Sequence, residues 1–527
     1  MELNTVSFSV VTRLPHSENR QRAHAYLVED NWDDWSKFRT MFSLYVVDSQ
    51  GITHEPGSVK IGEVDLKPSR ERTAGFRSPT LDRSFAALGE QHFSIGQSEN
   101  YYETLNELDP EFKEMILVGL RDCAFDLSIF DHNHEQVVMS ESLLRDVRER
   151  NVKNRFHRLA HGNAELTRFE FEFEFPSIPE NSDSPPVLNF EVIPESVPPT
   201  NVHVVIGRNG VGKTRCMQNL SRAVLGVNNQ HNMHGELRRL GSNADEWTFS
   251  GIVSVSFSSF DDFDLPRSAE GELKANQVGL RARTETGQAD DAHIKTPAML
   301  ASDFSESLSR CKTGLRGRRW KESVSMLEAD PLFAEANVTQ LLDYEEEVWN
   351  EQVQRHFKRL SSGHAIVLLT ITRLVELVDE RTLVILDEPE GHLHPPLLAA
   401  FVRALSGLLI RRNGVALIAT HSPVVLQEVP QCCVWKLRRS GATSVVQRPE
   451  IETFGENVGI LTREVFGLEV TNSGFHNLLK MVVSRGGSYD ECFQAFEGQL
   501  GLEAQAILMG LVFSRDQGRG DVDEDLA

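Results

Sequence analysis

The residues best placed to do chemistry lie at 207–214 and read GRNGVGKT. The pattern G-x-x-x-x-G-K-[ST] is typical of a loop whose backbone N–H groups cradle phosphate oxygens. Its glycines allow tight turns without Cβ clashes, and a helix starting near Gly212 would direct its N-terminal dipole at the same point. Lys213 would reach the β- and γ-phosphates, and the Thr214 hydroxyl would hold Mg²⁺. The predicted ligands are ATP and Mg²⁺, and the predicted binding residues are Asn209, Gly210, Val211, Gly212, Lys213 and Thr214.

Two carboxylates follow a second apolar segment. Residues 202–206 before the loop and 382–386 further along both have the composition of buried parallel strands. Asp387, at the end of the second run, can hold Mg²⁺ together with Thr214. Glu388 would orient a water in line with the terminal phosphate and act as the general base. An Asp-Glu pair alone is usually solvated surface, but the aliphatic run before it favours a buried strand end.

A histidine ends a third apolar run, residues 415–419. At that position His421 can sense the terminal phosphate through a ring nitrogen, although a lone histidine more often packs or caps a helix. Its place as the third strand-end group favours a catalytic role. His392 and His394 lack HExxH or a comparable ligand pattern, so no metal site is predicted there.

These elements, in this order, resemble the ABC-type ATPase family, in which a signature segment lies between the P-loop and the Asp-Glu strand. The segment LSSGH, residues 360–364, takes the place of the signature. The resemblance implies that Ser361, Ser362 and Gly363 contact the nucleotide of a second copy. A head-to-tail homodimer, or a larger oligomer, would then complete each site.

The chain departs from the family pattern in two ways. The family usually has glycine and then glutamine or glutamate where this chain has Ser362 and His364, which leaves the rate of turnover open. No glutamine ends the strand expected from residue 251, so another polar group would have to position Mg²⁺ or water. The candidates are Ser258, Ser259, Asp261 and Asp262, and a simple polar turn explains these residues equally well.

The sequence around these motifs indicates which branch of the ABC-type family the chain resembles. Residues 266–350 show no sustained heptad repeat and leave no room for a chromosome-maintenance coiled coil. Motifs across roughly 200–470 resemble the PtuA-type ATPases of Septu and retron-linked Septu-like anti-phage systems. That resemblance implies an ATPase that controls an HNH-type, PtuB-like nuclease, with a retron reverse transcriptase–msDNA complex as another candidate partner. A DNA-clamping repair-type head and an ATP-bound scaffold with little turnover stay open as alternatives.

The predicted fold class is α/β: an ABC-type P-loop ATPase head with a mixed central sheet, an antiparallel β subdomain and an inserted helical lobe. The alternating segment LTRFEFEFEFP, 166–176, is typical of a half-exposed strand in that subdomain. The predicted segments are 1–165 (N-terminal α+β region), 166–265 (first part of the ATPase lobe, with the P-loop), 266–375 (helical lobe with the signature), 376–450 (second part of the ATPase lobe), 451–513 (C-terminal helices) and 514–527 (acidic, disordered tail).

The composition of the chain limits which partners and which cellular location are expected. The chain carries 54 lysines and arginines against 77 acidic residues, a net charge of −23, which opposes coating of DNA by most of its surface. No apolar run approaches the ~18 residues that cross a bilayer, so a cytoplasmic protein without a membrane partner is expected. One basic cluster stands out, and an ion-paired helix face is favoured over contact with phosphate. Its residues are Arg310, Lys312, Arg316, Arg318, Arg319 and Lys321, with Trp320 among them.

Overall fold

The computed structural model forms two compact units. The first comprises Met1–His203 and Thr214–Ala419, and the second comprises Val204–Lys213 and Thr420–Ala527. The N-terminal region expected at 1–165 therefore shares a unit with most of the ATPase segments. The described residues are 6–30, 37–68, 77–162, 166–176, 185–227, 233–241, 247–257, 265, 273–281, 294–312, 314–344, 347–440, 443–466 and 474–517.

The N-terminal region contains a six-stranded sheet in the order β5-β1-β2-β3-β4-β6. Its strands are β1 Ser7–Val11, β2 His24–Glu29, β3 Met41–Val47, β4 Thr53–Glu63, β5 Ser84–Phe85 and β6 His92–Gly96. The β1–β2 pair is parallel, and the other neighbouring pairs are antiparallel. Apolar side chains such as Phe8, Leu27 and Ile95 are fully buried in one cluster, which gives this region its own core.

Short helices pack on that sheet and share its core. They are α1 Glu99–Leu105, α2 Pro110–Gly119, α3 Leu127–Asn133, α4 Glu149–Asn151 and α5 His157–Ala160. Two π-helical turns, Met139–Leu143 and Val152–Phe156, lie among them. Tyr101 and Tyr102 of α1 are fully buried in the core.

A separate three-stranded sheet has the order β10-β7-β8 and is antiparallel throughout. Its strands are β7 Phe169–Glu174, β8 Val187–Val192 and β10 Glu236–Leu240. The phenylalanines of β7 are buried and the glutamates between them are half-buried, as the period-two pattern predicts. Arg238 of β10 pairs with Glu174 on the polar face at 2.8 Å. The predicted antiparallel subdomain is confirmed.

Four parallel strands form the ATPase sheet of the first unit, in the order β12-β11-β13-β14. They are β11 Gly251–Ser256, β12 Lys274–Gly279, β13 Thr382–Asp387 and β14 Val415–Thr420. Three of them, β11, β13 and β14, are buried along their whole length, as strands covered on both faces should be. Strand β12 lies in the range expected to be helical, and the polar sequence KANQVG gave no strand signal.

The strand before the P-loop, β9 Val202–Ile206, runs into the second unit. There its residues 204–206 pair in parallel with β15 Val434–Ser440, which pairs antiparallel with β16 Thr443–Gln447. The predicted α/β fold class is confirmed.

Helices flank these sheets. In chain order they are α6 Lys213–Val224, α7 Pro297–Cys311, α8 Gly314–Leu327, α9 Pro331–Ala336, α10 Trp349–Phe357, α11 Ser362–Leu377 and α12 Pro395–Arg411. All of their residues belong to the first unit except Lys213, which belongs to the second. Helix α11 packs against α7 and α8, and α8 packs against α12. The helices α7–α11 occupy the range predicted for the helical lobe.

The second unit ends in a small helical cluster. Its helices are α13 Pro423–Leu426, α14 Val458–Phe466, α15 Phe475–Ser484, α16 Tyr489–Gln494 and α17 Leu502–Asp516. Leu479 and Leu508 are fully buried at its centre. Helix α17 continues to Asp516, so the start of the expected disordered tail is helical, while 518–527 lie outside the described residues. None of the helices in the described ranges is both long and apolar enough to span a membrane.

Candidate functional site

The loop after β9 has a backbone that requires glycine. Gly210 and Gly212 have φ of +81° and +101°, in the region that L side chains rarely adopt. A Cβ at Gly207 would lie 2.3 Å from the carbonyl oxygen of Leu437. Residues 208–210 are exposed, and helix α6 begins directly after the loop. An exposed glycine turn that ends at a helix N-terminus is suited to holding an anion.

Lys213 is held at this loop. Its side chain is buried, and its ammonium donates to the carbonyl oxygens of Gly207 at 3.1 Å and Arg208 at 3.0 Å. Both acceptors belong to the loop itself and are uncharged. A phosphate oxygen would offer a charged acceptor, which forms the stronger hydrogen bond. Thr214 follows in the first turn of α6 and is half-buried.

The predicted carboxylate pair ends strand β13. Asp387 is 2% exposed and Glu388 is half-buried. Glu388 has φ 45° and ψ 58°, a left-handed conformation that is strained for a residue with a side chain. Its backbone N–H donates to the carbonyl oxygen of Ala419 at the end of β14, at 2.8 Å. This backbone bond fixes the point at which the Glu388 side chain leaves the sheet.

His421 comes directly after β14 and is half-buried. The turn that carries it is closed by a hydrogen bond from the Ser422 N–H to the Thr420 hydroxyl, at 2.9 Å. Helix α13 begins at the next residue, Pro423. The histidine therefore lies at a strand end, as expected, and its catalytic role stays a prediction.

The signature-like segment is the start of helix α11. Ser361 is its N-cap, and the Ser361 hydroxyl accepts from the His364 N–H at 3.5 Å. Ser361 and Ser362 are exposed, whereas Gly363 is buried. Both serine hydroxyls are thus presented at a helix N-terminus, as the resemblance implies.

Gly363 is required by a close approach. A Cβ there would lie 2.8 Å from the carbonyl oxygen of His392, in the 3₁₀ turn Pro389–His392 that follows Glu388. The signature-like segment and the turn after the carboxylate pair are therefore neighbours within one copy of the chain.

Sequence reasoning missed a polar cluster beside Ser361. The imidazole of His364 lies 3.1 Å from one carboxylate oxygen of Asp330, and His394 lies 3.4 Å from the other. The side chains of Asp330 and His364 are each 5% exposed, whereas that of His394 is 47% exposed. Asp330 lies far from both histidines in the sequence and has no motif around it, so nothing in the sequence indicated the cluster.

The basic cluster on α7 and α8 is largely ion-paired. Arg310 lies 2.7 Å from Glu376 and Lys321 lies 3.0 Å from Asp343. Arg318 also pairs with Glu107, and Arg319 pairs with Glu103. Trp320 is fully buried and donates its indole N–H to the Thr372 hydroxyl at 2.8 Å. These contacts favour the ion-paired helix face over a phosphate-binding patch.

The residues proposed to replace the missing glutamine, Ser258, Ser259, Asp261 and Asp262, lie outside the described residues. Strand β11, which was expected to lead into them, is present as Gly251–Ser256.

Comparison with known proteins is consistent with these elements. Residues 312–427 match the family model described as "AAA domain, putative AbiEii toxin, Type IV TA system". This range contains the signature-like segment, the carboxylate pair and His421, and the match supports an ATPase domain of AAA type. A solved structure titled "An inward-facing conformation of a putative metal-chelate type ABC transporter" aligns at 16% identity with a TM-score of 0.28, covering 56% of this chain and 88% of that one. That score is too low to support a common fold.

A curated relative covers nearly the whole chain. Protein ea59 of Escherichia phage lambda is 40% identical over 536 residues, which span 98% of this chain and 99% of that protein. The chain therefore belongs to the family of lambda protein ea59.

Proposed function

We propose that this chain is an ATPase that binds ATP·Mg²⁺ through its P-loop and associates with a second copy when nucleotide is bound. The observation that carries the proposal is the loop at 207–214. Its glycines adopt conformations that other residues avoid, and it ends at the N-terminus of helix α6 with Lys213 held in place. Backbone N–H groups and a lysine in this arrangement bind the phosphates of a nucleotide.

Each predicted site residue then has a chemical task. Thr214 and Asp387 would hold Mg²⁺, which neutralises charge on the phosphate oxygens when it is bound. Glu388 would accept a proton from the attacking water, and His421 would donate to the terminal phosphate. Asp387 and Glu388 lie at the carboxyl end of a buried strand, where open α/β sheets generally place their functional groups.

The second copy would supply the signature-like residues. Ser361 and Ser362 are exposed at the N-terminus of α11, so they are accessible to a partner. Ser361→Arg should prevent ATP-driven association while leaving nucleotide affinity of the single subunit intact. Loss of that affinity would contradict the assignment of Ser361 to the second copy.

Hydrolysis is tested by substitution at two positions. Lys213→Ala should abolish binding of a fluorescent ATP analogue, whereas Arg215→Ala, on the exposed face of the same helix, should leave it unchanged. Glu388→Gln should retain binding and lower kcat by about 10²–10⁴, the usual contribution of a general base. If the wild type hydrolyses almost no ATP and Glu388→Gln changes nothing, the chain is a scaffold rather than an enzyme.

The partner is proposed from the resemblance alone. An HNH-type, PtuB-like nuclease controlled by the ATP-bound dimer remains the first candidate, and a retron reverse transcriptase–msDNA complex is another. Purification of the chain with its neighbouring gene products, with and without ATP, tests both. A repair-type head would instead bind DNA with an affinity that falls steeply with salt.

A further inference from the structure

A chain of hydrogen bonds runs inward from the exposed Ser361 hydroxyl. The Ser361 Oγ lies 2.6 Å from Nδ1 of His364, and Nε2 of His364 lies 3.1 Å from a carboxylate oxygen of Asp330. We call this the Ser361–His364–Asp330 relay. A purely structural explanation of these contacts is a variant of the capping box, in which the side chain of the third helical residue forms a hydrogen bond with the N-cap residue. That explanation accounts for the first contact and not for Asp330, which comes from a different segment.

The Asp330 end of the relay is negatively charged. Burial opposes ionisation, but the hydrogen bond from His364 and those from the N–H groups of Leu332 and Phe333 hold the pKa of Asp330 below its usual range. The two backbone bonds measure 3.0 Å and 3.4 Å. Two titratable groups, Asp330 and His394, lie against the His364 imidazole.

A bound metal ion fits these contacts less well than a hydrogen-bond network. Nδ1 of His394 accepts from the Leu397 N–H at 3.4 Å, which leaves the proton of a neutral His394 on Nε2, facing Asp330. Asp330, Ser361 and His394 are the N-caps of α9, α11 and α12. Each of these three side chains therefore already accepts a hydrogen bond from a backbone N–H group of its own helix.

Proton counting fixes the direction of each bond in the relay. Nε2 of His364 faces a carboxylate, so it carries a proton and donates it. In a neutral imidazole Nδ1 is then an acceptor, and the Ser361 hydroxyl must donate inward to it. In a protonated imidazole Nδ1 is a donor, so the Ser361 oxygen accepts from His364 and its own proton is free to point outward.

An ionised phosphate oxygen only accepts hydrogen bonds, so Ser361 can donate to it without breaking the bond to His364 only in the second arrangement. We infer that His364 is a positioning residue, and that it must take up a proton before Ser361 can donate to the terminal phosphate held by the other copy. This inference rests on the proposed function. It assigns to His364, where the family usually has an uncharged or acidic side chain, a proton-linked control of dimer closure.

The linkage between proton uptake and dimer closure determines how strongly association depends on pH. If closure requires one proton per site, the association constant changes by up to tenfold per pH unit for each site, and by up to a hundredfold for a dimer with two sites. Association should be strongest at low pH and weaken as the pH rises.

The test is sedimentation velocity of the full chain with saturating Mg²⁺ and a non-hydrolysable ATP analogue, between about pH 5.5 and 8.5. The wild type should dimerise less as the pH rises. His364→Gln offers Ser361 an uncharged amide donor, so its dimerisation should be strong and independent of pH. Asp330→Asn removes the negative charge beside His364, so this variant should dimerise less than the wild type at the same pH. His132→Gln, an exposed histidine of the N-terminal region, should match the wild type.

Two results would overturn the inference, and they have different consequences for the proposed function. If the analogue drives dimerisation of the wild type and His364→Gln with the same pH dependence, the relay does not control Ser361 and the proposed function survives. If the analogue binds but drives no association at any pH, the relay and the proposed dimer both fail. Binding of the analogue to single subunits, measured in parallel, should be equal for all variants.

Discussion

Replacing Arg412 by methionine should destabilise the first unit by about 3–5 kcal/mol, because buried carboxylates would lose their cation. Arg412 is 3% exposed and lies 2.8 Å from Glu99 and 2.9 Å from Glu103. Its Nε also donates to the Val378 carbonyl oxygen at 3.2 Å. Burial raises the pKa of Glu99 and the positive charge of Arg412 opposes that rise, so removal of Arg412 should raise the pKa of Glu99 further.

The expected loss follows from the charges around Arg412. Four acids and four arginines form one network, so removal of Arg412 leaves it with a net negative charge in a buried place. Its members are Glu99, Glu103, Asp379, Glu380, Arg155, Arg158, Arg319 and Arg412. Each contact near 3 Å is worth about 5–6 kcal/mol at an effective dielectric constant of ~20, before desolvation is subtracted. Desolvation of the guanidinium offsets much of two such contacts, which leaves the loss typical of a broken buried pair.

Urea denaturation measures this loss, since urea does not screen charge. Arg411→Met is the matched control: Arg411 neighbours Arg412 on α12, its side chain is 45% exposed, and it pairs with Glu322 on the surface. This control should lose at most about 1 kcal/mol. Adding Glu99→Gln to Arg412→Met should recover part of the stability, because one uncompensated charge is removed. Equal stability of the Arg411 and Arg412 variants would refute the reasoning.

Three further predictions concern single sites. Burial raises the pKa of Asp122 to about 6 against hydrogen bonds from Phe125, Tyr102 and Ala124, so the folded chain binds this proton more tightly than the unfolded chain, whose value is near 3.8. The contribution of Asp122 to stability therefore falls as pH rises between those values, and Asp122→Asn should flatten that part of the pH–stability curve by on the order of 2 kcal/mol. A hydrogen bond from Cys433 lowers the pKa of the exposed Cys432 to about 7, whereas the other five cysteines are buried. Peptide mapping after brief iodoacetamide treatment near neutral pH should find Cys432 alkylated first, and Cys433→Ala, which removes the hydrogen-bond donor, should slow that alkylation. Gly363→Ala forces a Cβ to 2.8 Å from the His392 carbonyl oxygen and should cost about 1–3 kcal/mol in thermal or urea unfolding, whereas Gly391→Ala, with open space around it, should not.

The parts of the fold that were predictable are those where local pattern and burial agree. Strands β9, β13 and β14 are short aliphatic runs buried on both faces. As expected from the sequence, β9 ends at the glycine loop, and β13 and β14 end at polar residues. The alternation of phenylalanine and glutamate in β7 predicted one buried face and one more polar face, as the structure shows. Strand β12 was missed because pairing with β11, and not an apolar pattern of its own, makes it a strand.

The features that the sequence did not predict depend on contacts between segments that are distant in the chain. The charge network around Arg412 joins α1 and the segment around Arg155 of the N-terminal region to the start of β13, and no spacing in the sequence pairs those acids with those arginines. The basic cluster on α8 illustrates the same limit, because its partners Glu103 and Glu107 lie in the N-terminal region. A run of basic residues in a sequence indicates that negative groups lie nearby in the folded state. The sequence alone does not distinguish acidic side chains of the same chain from the phosphates of a nucleic acid.

The N-terminal region gave no chemistry from its sequence, and its contacts suggest what it does for the ATPase segments. Glu380 precedes β13, the strand that ends in the carboxylate pair, and it is bound by Arg155 at 2.5 Å and by Arg158 at 2.9 Å. Arg381 also contacts Thr167. Three side chains from before the P-loop thus hold the beginning of the strand whose end carries Asp387. A displacement of the N-terminal region would act on that strand through buried charges, which tolerate separation poorly. The N-terminal region therefore contacts the start of the strand whose end carries the carboxylate pair.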